Sequence, residues 1–320
     1  MATITRDPEI GPTGRMLLMR RKGALLETPM ELLIKATGVL TVLLLVGILA
    51  LLARQGLRLF LELDYPIDRF WSYPNAITDN TTDPDKFRFG IVPPLIATLW
   101  VTAVCLFFAV PLGLMTAVFI SELAPPRVRL VIKSLVELLA GVPTVIFAFI
   151  GLALVVPEVE QYFGWGAGGL SGITAGLIIS FVAVPLIISI SDDALQAVPI
   201  EFKENAYALG CNKAQAIAFA IMPAAISGIT AAVMLGMTRA IGETMVVLVL
   251  AGGNSSIPQD PTESMRPMTS TIAAGFGNAT DQSLIRPALF MTGTVLFVLT
   301  FFTTWIADWV LDRQRRKFAR

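Results

Sequence analysis

Arg239 and Glu243 stand four residues apart in a run, 224–251, that carries no other charge. A charged side chain at the centre of a membrane-length apolar segment costs about 2.5–3.5 kcal/mol on insertion scales, so its presence needs a reason. On a helix the two residues share a face. An acid N-terminal to a base supports a helix better than the reverse order found here, so local helix stability is a weak reason. A guanidinium presents a planar fork of N–H donors that matches two oxygens of an oxyanion. In the functional reading, Arg239 meets a passing oxyanion. Glu243 holds the guanidinium and keeps the anion's stay brief, because a site that binds too well does not release. The alternative is a structural ion pair at a subunit interface. Small residues recur at every fourth place on the same stretch: Ala224, Gly228, Ala232, Gly236 and Ala240. Such a stripe lets another helix approach closely, from a second subunit or within this one.

Other chemistries are excluded by composition. The chain has no His, which removes imidazole metal sites, His general bases and Ser-His-Asp triads. It has no Gly-x-Ser-x-Gly elbow. It also lacks any Gly-Lys dipeptide, so no Walker A loop is present and ATP chemistry would have to come from another chain. Cys105 and Cys211 are expected to be free thiols.

The elements that position the charged pair follow from hydropathy. Of 320 residues, 55% are hydrophobic and only 15% charged, with a mean hydropathy of +0.71; a soluble chain carries about 25% charge. The fold class expected is therefore all-α, a polytopic integral membrane protein. A span needs about 20 apolar residues, and six candidates occur at 32–53, 94–120, 133–156, 172–190, 224–251 and 287–311. The organisation expected is an N-terminal tail (1–31), a first transmembrane helix (32–53), an external loop (54–93), a transmembrane core (94–311) containing a long loop (191–223), and a C-terminal tail (312–320). Lys and Arg crowd both tails and the loops that follow spans two and four, which places both termini in the cytoplasm. The first apolar run is too long for a cleavable signal and reads as a retained span. The segments 55–93 and 252–286 read as external loops with little regular structure, with Trp71, Tyr73, Tyr162 and Trp165 as interfacial rings. Pro143 and Pro185 are expected to kink spans three and four, Glu137 to sit in the first turn of span three, and Asp192 and Asp193 to be solvated.

The loop 191–223, SDDALQAVPIEFKENAYALGCNKAQAIAFAIMP, is too long for a tight connection. Pro199 suits a helix start, with Glu201 and Glu204 near the positive end of the dipole. Gly210 stands where a left-handed residue ends that helix. Asn212 can cap a second helix, which ends or kinks at Pro223. Two short helices hinged at Gly210 are therefore expected. Small Ala206 and Gly210 would let a foreign surface approach, and Phe202, Tyr207 and Leu209 would supply apolar contacts in a helix-in-groove mode.

Glu204, Ala206, Gly210 and Pro223 resemble the EAA loop of ABC importer permeases: Glu-Ala-Ala, three residues, Gly, nine residues, Ile, one residue, Leu-Pro. Asn205, Ala220 and Met222 depart from it mildly. SELAPPRVR (121–129), ELLAGVPTVIFAFIGL (137–152) and TRAIGETMVVL (238–248) extend the likeness to phosphate permeases of the PstC type. The resemblance implies the type I importer permease, or MetI-like, fold with six transmembrane helices. It implies that the chain binds no cofactor itself, with ATP and Mg on a partner ATPase. The partners implied are a second permease subunit (PstA-like), an ATPase dimer (PstB-like) reached through the EAA loop, and a periplasmic phosphate-binding protein (PstS-like). Membrane lipid surrounds the chain, and no nucleic acid is involved. In this family the Arg and Glu of the last motif, here Arg239 and Glu243, are associated with transport. The location implied is the bacterial inner membrane. Rival readings are a permease for sulfate or molybdate, an ion-coupled transporter and an intramembrane enzyme; the EAA loop and the missing His weigh against the last two.

Overall fold

A lone apolar run can satisfy its own backbone N–H and C=O groups in lipid only as a helix, and the chain follows that rule. A computed structural model describes residues 12–72, 87–279 and 284–318. In chain order the helices are α1 (Pro12–Leu61), α2 (Ile67–Ser72), α3 (Val92–Val118), α4 (Pro126–Ala140), α5 (Thr144–Ile150), α6 (Val156–Phe163), α7 (Gly172–Gln196), α8 (Ile200–Ala208), α9 (Lys213–Ala216), α10 (Met222–Ile241), α11 (Met245–Leu250), α12 (Met268–Asn278) and α13 (Ile285–Phe318). Single π-helical turns, Phe119–Leu123, Gly151–Val155 and Ile217–Ile221, extend α3, join α5 to α6 and join α9 to α10. Among the described residues, six segments are long and apolar enough to cross a membrane: Met30–Leu61, Val92–Leu123, Thr144–Phe163, Gly172–Gln196, Lys213–Ile241 and Ile285–Trp309.

The chain divides into two units, Met1–Leu51 and Leu52–Arg320. The described part of the first belongs to α1, with apolar side chains such as Leu33, Val42 and Leu45 exposed as on a lipid-facing surface. In the second, α3, α7 and α10 pack about a core of Val101, Cys105, Ile179, Ala183 and Ile187. Small residues set the spacing. A Cβ on Gly228 would lie 2.3 Å from the Cβ of Ala194, and one on Gly236 would lie 2.8 Å from Ile187 Cδ1. Ala232 and Ala240 are buried on the same stripe. The small residues at 228, 232, 236 and 240 thus line a seam within this subunit, against α7.

Several boundaries differ from the sequence expectation. The third span is Thr144–Phe163 rather than 133–156. Pro143 has no N–H and disfavours helix at Val142, so the ladder breaks there and α4 stands as a separate helix. Glu137 consequently sits in the last turn of α4, where its backbone carbonyl accepts from Gly141 N–H, not in a first turn. The first loop is not bare coil: α1 runs on to Leu61, supported by the Arg58–Glu62 pair at 2.7 Å. Beyond it Tyr65, Phe70, Phe87 and Phe89 form a buried aromatic cluster. The segment 252–286 contains a whole helix, α12, whose Thr and Ser side chains turn back on backbone carbonyls. Thr269 Oγ1 donates to Glu243 O at 2.7 Å, and Thr271 Oγ1 to Pro267 O at 2.9 Å. The loop reading of this stretch follows from Gly252, Gly253, Asn254, Pro258 and Pro261, which all precede the helix. Pro185 lies inside α7, which continues through it. Tyr73, the acid-rich stretch 79–85 and the side chains of the basic tails, Arg313 excepted, lie outside the described residues.

The loops sort into two ends. At one end 164–171 and 252–267 meet: Gly172 N–H donates to Glu263 O at 3.1 Å and Ala167 N–H to Ser264 Oγ at 2.8 Å. At the other, 121–140 meets 191–212 through Lys133–Asp192 (3.4 Å) and Lys203–Glu122 (2.7 Å).

Candidate functional site

At the second end the chain builds a stiff hinge. Pro199 is extended and α8 follows it, with Glu201 in the first turn where the dipole favours an acid. The end of α8 is a Schellman closure: Cys211 N–H donates to Ala206 O at 3.1 Å, and Gly210 N–H to Tyr207 O at 2.9 Å. That closure needs a left-handed residue, and Gly210 has φ +84°. Asn212 then opens α9 through a capping box: its Oδ1 accepts from Gln215 N–H, and its own N–H donates to Gln215 Oε1, both at 2.9 Å. The second helix is not a separate piece ending at Pro223. A π-helical turn carries α9 into α10, so half-buried Pro223 lies inside a continuous helix, just past the turn where the hydrogen-bond ladder is already irregular.

The outer face of this hinge is apolar. Leu209 is 85% exposed, and Ile200, Phe202 and Tyr207 are exposed on α8. Glu204 is exposed as well. Between α8 and the start of α10 lies an open cavity of about 730 Å³ lined by Phe202, Leu209, Phe219 and Pro223 among others. Ala206 is 7% exposed and lines that cavity with Phe202 and Leu209. Sequence reasoning missed the charges that tie this end together. Asp192, read as solvated, is 2% exposed between Arg129 (3.7 Å) and Lys133 (3.4 Å). Glu122, 8% exposed, accepts from Lys203. A signal existed: Glu122 is the only acid between 92 and 136.

Arg239 and Glu243 do not pair. Helix α10 ends at Ile241, and Gly242 interrupts the ladder before α11 begins. The interruption turns Glu243 inward to 7% exposure. There its Oε1 accepts from the amides of Met245 at 3.2 Å and Val246 at 3.5 Å, the open N-terminal donors of α11. Arg239 stays on the exposed face of α10. Among the described residues no ion pair joins it to Glu243 or to any other acid. The expected i, i+4 partnership fails because the helix that would carry it stops between the two residues.

At the opposite end, the Thr262 hydroxyl and then its amide donate to Asp260, which holds that carboxyl below its usual range. Burial holds the Arg266 guanidinium below its ordinary value. Cys105 and Cys211 are both free thiols, the first buried in α3.

An apolar bundle of membrane-length helices, with a capped helical hinge at one end and an arginine that makes no ion pair among the described residues on a broken span, defines a class: a multi-span membrane protein. Residues 109–316 match the binding-protein-dependent transport system inner membrane components, and the chain belongs to that family. It is similar to the probable ABC transporter permease protein YqgH of Bacillus subtilis, 30% identical over 302 residues, covering 94% of this chain and 96% of that one. It is also similar to the phosphate transport system permease protein PstC of Mesorhizobium japonicum, 32% identical over 255 residues, with 74% and 78% covered. In fold it is similar to the inward-facing MetNI methionine ABC transporter (TM-score 0.54, 16% identity, covering 70% of this chain and 95% of that one). A bacterial importer of alginate is alike too (TM-score 0.56, 14% identity, 92% and 98% covered). The chain is thus a multi-pass membrane component of an ABC importer with the MetI-like fold.

Proposed function

We propose that the chain is one permease subunit of an ATP-driven phosphate importer in the bacterial inner membrane. With a second permease it forms the pathway for phosphate handed over by a periplasmic binding protein. The observation that carries this reading is Arg239, exposed on the fifth span and without a carboxylate partner among the described residues. A guanidinium left unneutralised in a low-dielectric wall attracts an oxyanion and can grip two of its oxygens. A single such group is weak enough to let the anion go. Glu243 contributes by fixing the break beside Arg239. The similarity to PstC proteins supports phosphate in particular.

The motor is proposed to sit on other chains. An ATPase dimer, holding ATP and Mg, receives α8 in a surface groove. Leu209, Phe202 and Tyr207 supply the apolar contact, while Glu204 and the turn at Gly210 set its direction. The end bearing α8 then faces the cytoplasm together with both termini, and the end bearing 164–171 and 252–267 faces the binding protein. ATP state biases an equilibrium between inward-open and outward-open forms.

The similarity to YqgH, whose name carries no substrate, favours keeping a second reading, an importer of another oxyanion such as sulfate or molybdate. Uptake of radiolabelled phosphate by the reconstituted complex tests both. ATP-dependent uptake that excess sulfate and molybdate fail to suppress is expected. Replacing Arg239→Gln should lower it by roughly 30-fold or more, the equivalent of about 2 kcal/mol for a charge-assisted bond. Uptake indifferent to that change would remove Arg239 from the pathway.

A further inference from the structure

Helix α8 must be gripped by the bundle if a push on it is to move the spans. Its polar ties to the rest of the chain are few. Among the described residues, one side-chain ion pair links α8 to another element: Lys203 Nζ to Glu122 Oε1, at 2.7 Å and across 81 residues of sequence. Glu122 lies in the π-helical turn Phe119–Leu123 that ends the second span, with its side chain 8% exposed; that of Lys203 is 24% exposed. Ser121 Oγ lies 3.3 Å from the same carboxylate oxygen.

Two physical points make this pair more than surface decoration. A carboxylate so far from water is held only while its counter-charge stays, because an unpaired buried charge is strongly destabilising. The pair also has a short, charge-assisted geometry. A displacement of α8 therefore carries Glu122 with it, and with Glu122 the end of the second span. That span packs closely on α7, where a Cβ on Gly113 would lie 2.7 Å from Ile187. A π-helical turn is also a common place for a helix to yield; Glu122 lies within one, Phe119–Leu123, and another, Ile217–Ile221, follows α8 and α9 in the chain.

We propose that Lys203 and Glu122 form the tie through which motion of the docking helix reaches the second span. They are positioning residues for transport and touch neither ATP nor the anion. This rests on the proposed function, in which α8 meets an ATPase.

The test uses the full complex in liposomes and follows three readouts: co-purification of the ATPase, ATP hydrolysis, and phosphate moved per ATP. Glu122→Gln and Lys203→Met should each keep the ATPase bound and hydrolysing while phosphate moved per ATP falls at least roughly tenfold, as expected when one partner of a buried pair is removed. Lys203→Arg should stay near wild type. The exchange of both residues, Glu122→Lys with Lys203→Glu, should recover most of the lost coupling. Lys203, being partly open to solvent, keeps the test readable should Glu122→Gln lower the yield of folded chain. Unchanged coupling in Lys203→Met would overturn the proposal. So would an exchange variant no better than the single ones. An ATPase that fails to bind even the wild-type chain would instead overturn the proposed function.

Discussion

Arg239 and Glu243 show how much a single glycine decides. Read as a continuous helix, 224–251 places them one turn apart as partners. Gly242 ends the hydrogen-bond ladder, and the acid then satisfies amides of α11 while the base remains exposed. The two side chains therefore have separable effects. Arg239→Lys keeps the charge but loses the planar fork, so uptake should fall less than in Arg239→Gln, chiefly through a higher KM. Glu243→Ala removes an N-terminal acceptor and should cost about 0.5–2 kcal/mol of stability. Thermal unfolding in detergent should show it as a lower Tm. The residue types were legible from the sequence, because charge in an apolar run is conspicuous. Their partnership was not, because periodicity assumes an unbroken helix and nothing in Gly-Glu-Thr announces the break. Asp192 was opaque for a related reason: burial between elements distant in sequence leaves no local mark, whereas Glu122 is marked only by standing as the lone acid between 92 and 136.

At the scale of elements, the hinge around Gly210 was the most legible part of the chain. Its instructions are local: a glycine after the last helical turn and an Asn-x-x-Gln box two residues later. A β-branched residue at φ +84° pays for the missing left-handed freedom with about 1–2 kcal/mol. Gly210→Val should thus loosen the closure of α8 and reduce ATPase co-purification, whereas Gly210→Asn, the next best residue there, should retain it. No atom stands within 4 Å of where a Cβ would be, so an effect at Gly210 would come from the backbone and not from a clash. The third span and α12 were less legible. Pro143 was read as a kink inside a span and in fact separates two helices. Helix α12 is hidden behind Gly252, Gly253, Pro258 and Pro261, turn formers that stand ahead of it, and its hydroxyls bond backbone carbonyls.

For the whole molecule, hydropathy located six spans, because lipid imposes a length and a composition on each one. It could not say which loops share an end. The ion pairs between 121–140 and 191–212, and the hydrogen bonds between 164–171 and 252–267, sort them. Cys211 reports the sidedness directly. In sealed vesicles of known orientation, a membrane-impermeant thiol reagent should modify Cys211 from the cytoplasmic side alone, while buried Cys105 resists until the chain is unfolded. Modification from the outer side would invert the proposed orientation.

The seam between α7 and α10 limits how such a bundle can open. At Gly228 there is no space for even a methyl group beside Ala194, and at Gly236 Ile187 fills the notch. Two rods keyed at two heights cannot slip by one residue, about 1.5 Å, without forcing side chains into backbone. The fourth and fifth spans consequently travel as one plank. In the proposed transport cycle the strain of opening is taken up at the interruptions of the ladder, beside Gly242, around Gly210 and at the π-helical turns, and not by sliding along the seam.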